Sequence, residues 1–561
     1  MRRRSEEGHL YTVKVMSMYQ PSREPRREAN AHACPPRPIP SFQALVSVDD
    51  AFEHLAKIAN LNTYANRRSV MIEDCFYDIA RSNPKLGIPD LACKTAGLLG
   101  AIHADPRSRI PRDVRNFASH LATISLGAIH NVNLATVANT ARALARLEVH
   151  VPQFIEAVAS RTARQAAVLK PQDVANLAWA FSRWRHSDDH VVNALIPRVI
   201  ELAPSLTPAL LAPITAFFDA SRVRDLNVLK PLAQRLMETL PDFSGKELSM
   251  TARALANIGY DHRQMSEAIA QRALEIEDNG RRMRWGEPHK ANECFGADHL
   301  ARMVWALAIL LPQAVPKLLG AETLPRDATD EHRTKAAEQC FHKLEKLERN
   351  MPDRAWMDMF HAICVTFGTL PATTPARYSK IAGTTEARRS FENPAPSRFE
   401  RQVKDWLESR VPDSEGWQHG TLINGVEVDW TATIGGRQVA VECDGWHFHR
   451  TRGAHGQNII GKDKVQDTML KLSGYKPVHV WDRELNALAS EEEQNEYLRK
   501  LFPAKQFDFG VYPFGSEPEL DADNRKAAAT ATQAGEGFFA GLYHRIMEFV
   551  SWSFGPSKSA T

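Results

Sequence analysis

A chain of 561 residues, 43% apolar and 24% charged, is long enough for two or more cores, and it holds no eighteen-residue apolar run, which argues against a membrane-spanning helix. Its 70 Lys+Arg stand against 67 Asp+Glu, which excludes binding a polyanion by bulk excess charge; any nucleic-acid affinity must come from basic groups gathered on one face. Seven scattered cysteines with no C-x-x-C pair point to a reducing compartment and away from structural zinc.

Residues 1–45 carry eight Lys/Arg against four Asp/Glu and too few large apolar side chains for a core. They read as a disordered tail or as a targeting segment, organellar or bacterial-secretory. Glu6, Glu7, Glu24 and Glu28 argue against a transit peptide.

Residues 46–375 are rich in Ala and Leu at helical spacing, and an internal period appears. The segments 137–146, 174–183, 211–220 and 248–257 each begin 37 residues after the last. Their second position is Ala three times and Ser249 once. Their fifth reads Ala141, Ala178, Thr215, Ala252, small side chains where two helices approach; their eighth reads Leu144, Phe181, Phe218, Leu255, the bulky groups that fill the groove. A helix pair of this length cannot bury both apolar stripes alone, so the pattern predicts an α-solenoid of stacked helix-pair repeats. Looser copies of the first helix fit at 114–125, 300–311 and 355–368, and the basic stretch 279–296 interrupts the period.

Residues 376–398 lose the periodicity and read as a linker. Between 399 and 503 the pattern changes to a helix, two alternating strands joined by Gly435-Gly436, a second helix and a strand reached by a crossover, a small α/β domain. A two-residue turn at the glycines makes paired residue numbers sum to 871, which sets Asp429 opposite Glu442 and Glu427 opposite Asp444. Like charges so opposed destabilise a sheet. A divalent metal on hard oxygens, lysines from the next helix such as Lys464 and Lys471, or plain solvent exposure could each relieve them. His447 and His449 follow the second strand, where a general acid or base can stand, and a pair of surface histidines reads equally well. Residues 504–561 form a tail with an amphipathic helix at 538–554, suited to docking.

The stretch "VAVECDGWHFH" with the downstream "LKLSGYKPVHVWDREL" resembles a RAP domain over 399–503, and the 37-residue array resembles octotricopeptide and heptatricopeptide repeats. The resemblance implies single-stranded RNA as partner, alongside possible protein partners, in RNA processing, stability or translation. RAP domains are also similar to the restriction-endonuclease-like fold of the very-short-patch-repair type. On that comparison Asp429, Glu442 and Asp444 are metal ligands for Mg2+ or Mn2+, with His447, His449 and Lys471 as catalytic candidates. The family's nuclease pattern often has Glu-x-Lys, and Asp444 stands where that lysine would be. Modular reading implies base contacts at the varying third and sixth positions, Asn139, Asn176, Pro213, Met250 and Arg142, Trp179, Ala216, Arg253, although surface drift leaves the same pattern. Arg146, Arg183, Trp184 and Arg185 suit phosphate contacts or stacking. Residues 130–280 hold 16 Lys+Arg and 16 Asp+Glu, so RNA affinity demands facial segregation of charge.

The function expected is therefore a sequence-selective single-stranded RNA-binding factor, with a metal-dependent nuclease as an extension and no small-molecule cofactor. The alternative is a protein-binding solenoid, such as a secreted bacterial effector. The compartments that fit are a mitochondrial or plastid matrix, a bacterial cytoplasm, or a host cell.

Overall fold

The computed structural model describes residues 47–502, except 60–64, 83–86, 104–109, 284–293, 323, 326–327, 348–350, 372–374, 382–395, 412–413, 435 and 445–459. Tails 1–45 and 504–561, and the histidines His447 and His449, therefore lie outside the described residues, as do most of the basic stretch 279–296 and of the proposed linker.

The N-terminal part is helical: α1 (Val48–Ala59), α2 (Ala65–Ser82), α3 (Ile88–Ile102), α4 (Arg112–Ser125), α5 (Leu134–Arg146), α6 (Pro152–Gln165), α7 (Pro171–Trp184), α8 (Asp189–Leu202), α9 (Pro208–Ala220), α10 (Leu226–Glu238), α11 (Gly245–Ile258), α12 (Arg263–Met283), α13 (Ala297–Leu310), α14 (Val315–Leu319), α15 (Asp330–Leu347) and α16 (Asp353–Phe367). The helices α5, α7, α9 and α11 start 37 residues apart, and so do α6, α8, α10 and α12. Local chemistry fixes these starts. Pro171 and Pro208 occupy first-turn positions whose missing N–H costs nothing, and Ser244 with Glu247 forms a reciprocal capping box at α11.

Two layers result. Helices α3, α5, α7, α9, α11, α13 and α16 pack each on the next, and α4, α6, α8, α10 and α12 form the second layer. The predicted packing frame is present: Ala141, Ala178, Thr215 and Ala252 are buried, as are Leu144, Phe181, Phe218 and Leu255. The copies at 300–311 and 355–368 fall in α13 and α16 of the first layer. The copy at 114–125 does not: it forms α4, which packs against α6 in the second layer, while α3 supplies the first-layer helix at that point. Helix α3 starts 46 residues before α5, outside the period, and meets it at Gly100. A Cβ there would meet the Ala143 Cβ at 2.6 Å, so the two helices touch through glycine rather than through alanine.

A second series also recurs every 37 residues, and sequence reading passed over it. Arg198 and Arg235 donate through Nε to the carbonyls of Leu169 and Leu206, each at 2.8 Å; Arg272 reaches Phe243 at 3.3 Å, and Arg161 reaches Ile129 and Val132. These arginines staple each second-layer helix to the preceding loop.

The C-terminal part holds α17 (Arg398–Arg410), β1 (Ser414–Ile423), β2 (Val426–Ile434), β3 (Arg437–Asp444), α18 (Gly461–Leu472), β4 (Lys476–Trp481), α19 (Asp482–Asn486) and α20 (Glu491–Leu501). The sheet runs β1-β2-β3-β4, antiparallel except for the parallel β3–β4 pair that the α18 crossover produces. Strand β1 is absent from the sequence reading. Its polar composition and two positive-φ glycines, Gly416 and Gly420, hide the alternation and accompany a register shift between Glu415 and Gln418. One sheet face buries Trp430, Ala432, Ile434, Val439 and Val441 with Val403 and Leu407 of α17. Helix α18 covers the other.

Candidate nucleic-acid interface and carboxylate cluster

Trp179 stands half-exposed on α7, and three guanidiniums surround its ring: Arg142 at 5.9 Å, and Arg146 and Arg183 each at 5.8 Å from the ring centroid. Helical spacing builds this cluster. Arg142 and Arg146 are four residues apart on α5, Trp179 and Arg183 four apart on α7, so both pairs line facing stripes of adjacent first-layer helices. Arg142 Nη1 donates to Asn176 Oδ1 at 2.5 Å, Gln172 donates to the same oxygen at 3.0 Å, and Asn176 Nδ2 donates to Asn139 at 2.8 Å. Burial lowers the Arg142 pKa, and the Arg146 charge lowers it further. Beside the cluster a cleft of about 360 Å³ opens between α3 and α5, lined in part by Asn139, Arg142, Arg146 and Lys94.

The even charge count resolves here into two populations. Arg198, Arg235 and Arg272 of the second layer pair with Glu201, Glu238 and Glu275 three residues on. No described carboxylate is in ion-pair contact with Arg142, Arg146 or Arg183. Acids thus pair with three of the four stapling arginines, and the described residues offer none to the first-layer cluster around Trp179, which leaves a local concentration of positive charge.

Other predicted residues fall elsewhere. Asn176 is buried rather than exposed, because it bridges Arg142, Gln172 and Asn139. Trp184 is buried with its Nε1 donating to the Val149 carbonyl at 2.8 Å, a packing role. Arg253 lies over the Trp305 ring at 4.4 Å and pairs with Asp358 at 2.7 Å, so it is tied into contacts between α11, α13 and α16 and is not part of the Trp179 cluster.

On the sheet, the predicted register holds from Ile434–Arg437 to Trp430–Val441 and stops there. The Asp429 side chain takes over as a strand partner: its Oδ2 accepts the Cys443 amide at 2.7 Å. Glu442 and Asp444 instead lie along the β3–β4 ladder, beside His479 and Trp481. The expected lysines do not reach these acids. Helix α18 buries Asp463, Val465, Met469 and Leu470, which turns Lys464 and Lys471 to the exposed side. Asp467 comes inward instead, and β4 contributes a residue that sequence reading missed. His479 Nε2 binds Asp467 at 2.9 Å and Nδ1 binds the buried Asp444. The alternation of "YKPVHVWD" could have flagged it, since His479 lies between the inward Val478 and Val480.

Electrostatics follow from this crowding. Burial raises Asp429 to about 6 against the Cys443 hydrogen bond, with Glu400 and Asp444 adding to the rise. Burial first, then Asp429 and Asp444, raises Glu442 to about 9. Burial would lower His479, but its hydrogen bonds to Asp444 and Asp467 prevail and hold it up to about 11. The cation among the carboxylates is an imidazolium. Among the described residues no group of three or more His, Cys, Asp or Glu side chains is arranged to hold a metal ion.

A family model described as RNA-editing substrate-binding complex 6 protein matches residues 114–282, from α4 into α12, and includes the whole Trp179 cluster. No curated protein matches the chain. Among the described residues no helix is long and apolar enough to cross a membrane.

Proposed function

We propose that the chain is a single-stranded RNA-binding factor whose helix pairs form an α-solenoid, with Trp179 and its three arginines as the principal contact. The carrying observation is three cationic groups around one half-exposed indole with no described carboxylate in ion-pair contact. Guanidiniums so gathered repel one another and call for an anion, and an indole face between them accepts a base; together they suit a phosphate-linked base of an unpaired strand. The similarity to a family described as RNA-editing substrate-binding supports the same reading, and its description as part of a complex adds protein partners to the proposal. Val168 and Met237 are the large apolar side chains exposed among the described residues, too few for a broad hydrophobic docking face, which favours RNA over protein as the main ligand of the array. Sequence selectivity and a role in RNA processing, stability or translation extend this proposal through the resemblance to RAP and octotricopeptide proteins.

The α/β unit reads as a binding and docking module. His479 between Asp444 and Asp467 meets these carboxylates' demand for a cation, which favours this reading over Mg2+ or Mn2+ held by Asp429, Glu442 and Asp444. RNA cleavage in Mn2+ that Asp429→Ala and Glu442→Ala each abolish would reverse that reading.

A salt-dependent gel shift with single-stranded RNA tests the central proposal. Changing Arg142, Arg146 and Arg183 to Glu should abolish binding at moderate salt, and changing them to Ala should lower the log–log salt slope by roughly two. No shift at any salt, or an unchanged slope, removes the proposal.

A further inference from the structure

The first-layer face differs between its two halves. In the N-terminal half, the sixth and tenth positions of successive repeats are Arg142 with Arg146 and Trp179 with Arg183, the cluster described above. In the fourth repeat the same positions are Arg253 and Asn257, and both are already engaged. Arg253 is held by Asp358 and Trp305. Asn257 donates to Asp219 at 2.5 Å, and its Oδ1 accepts the Lys462 amide at 2.8 Å. Lys462 is the second residue of α18, so a side chain 205 positions earlier caps the first turn of a helix in the α/β unit.

Gly461 makes this approach possible. A Cβ at that position would lie 2.6 Å from the Ala256 carbonyl oxygen, 3.0 Å from the Asn257 Cα and 3.0 Å from Ile309 Cδ1, so any side chain would push α18 off α11 and α13. A second contact fixes the other end of the unit. His361 of α16 binds the Asn424 carbonyl at 2.9 Å through Nε2, and Asn424 donates to Ser473 at 2.7 Å, which ties the β1–β2 turn to both α16 and α18.

We propose that the α/β unit is an intramolecular ligand of α11, α13 and α16 and acts as a stop that confines RNA to α3, α5, α7 and α9. The proposal rests on the RNA reading above and specifies the length of strand the array can hold. With one base per helical repeat, four open first-layer helices hold about four nucleotides. In α11 the outward Asn257 already holds the α18 amide and Arg253 pairs with Asp358 of α16, whereas in α5 and α7 no described carboxylate pairs with Arg142, Arg146 or Arg183.

The test measures affinity of the full chain for single-stranded RNA of two to ten nucleotides, alongside amide hydrogen exchange over α11 and α16. In the wild type, affinity should rise at least about fivefold per nucleotide to a length near four and then level off to less than twofold per nucleotide. Gly461→Leu, which wedges the docking contact, should speed exchange in α11 and α16 and extend the rise by one or two nucleotides. The paired change Asn257→Ala and His361→Ala removes the side-chain ties without a wedge and should act in the same direction. Wild-type affinity that keeps rising to ten nucleotides overturns the stop alone. So does an unchanged length dependence in variants whose exchange reports release. Absence of binding at every length overturns the RNA reading and the stop together.

Discussion

Asn176 and Asn139 occupy the same position of adjacent repeats, and their side chains are hydrogen-bonded to each other across 37 residues, Nδ2 to Oδ1, at 2.8 Å. Because the Asn176 oxygen also accepts from Arg142 and Gln172, one buried amide aligns two helices and aims a guanidinium at Trp179. Replacing Asn176 by Leu leaves Arg142 and Asn139 without that partner and should cost about 1–3 kcal/mol of stability. RNA affinity should fall as well, because Arg142 loses its direction. Denaturant titration and a binding isotherm on the same preparation check the two effects.

Trp179 is the one residue at which stacking and charge can be separated. Trp179→Ala should weaken single-stranded RNA binding by about 1–3 kcal/mol and leave the salt slope nearly unchanged, since no charge is lost. Trp179→Phe should recover part of the loss. A slope that collapses in the alanine variant would mean that the indole only holds the arginines apart.

Gly100 sets two helix effects against each other. Gly100→Ala improves helix propensity by about 1 kcal/mol, yet the new methyl would lie 2.6 Å from the Ala143 Cβ and 2.8 Å from its Cα, where neither neighbour can rotate away. Overpacking against backbone costs about 1–3 kcal/mol, so the net change should be destabilising. A melting temperature equal to or above wild type would show that α3 and α5 separate freely.

Glu442 and His479 give the α/β unit a pH dependence of defined sign. Both are raised in the folded state, Glu442 from 4.5 to about 9 and His479 from 6.5 to about 11. Each binds more protons folded than unfolded within its window, so the stability it contributes is complete below the lower value and is lost as pH rises to the upper one. The denaturation midpoint should fall between pH 6 and pH 9. Glu442→Gln should flatten that fall, because its amide stays neutral throughout. His479→Gln should destabilise the unit at pH 7 by about 3 kcal/mol or more, since it leaves Asp444 and Asp467 without their shared cation. Midpoints rising with pH would contradict the assignment.

The 37-residue period, the buried small and bulky positions, and the hairpin register from Ile434 to Trp430 were legible in sequence. Each depends on spacing along one chain segment: helical phase fixes which residues of "VANLAWAFSR" face inward, and strand alternation fixes which of "VDWTATI" do. What escaped sequence depended on separate segments meeting. The carboxylate pairs on β2 and β3 could be seen crowding one another, but His479 becomes their cation only because a crossover lays β4 beside β3 and brings Asp467 down from above. Equal numbers of acids and bases could not reveal that Glu201, Glu238 and Glu275 pair with the stapling arginines three residues before them, while no described carboxylate forms an ion pair with Arg142, Arg146 or Arg183. Sequence by itself determined the repeating helix pair and the faces it buries, because short-range periodicity encodes them. Tertiary packing alone decided which arginines meet a described carboxylate, which strand supplies the imidazolium and which helices the α/β unit covers, because those outcomes depend on distances between residues tens to hundreds of positions apart.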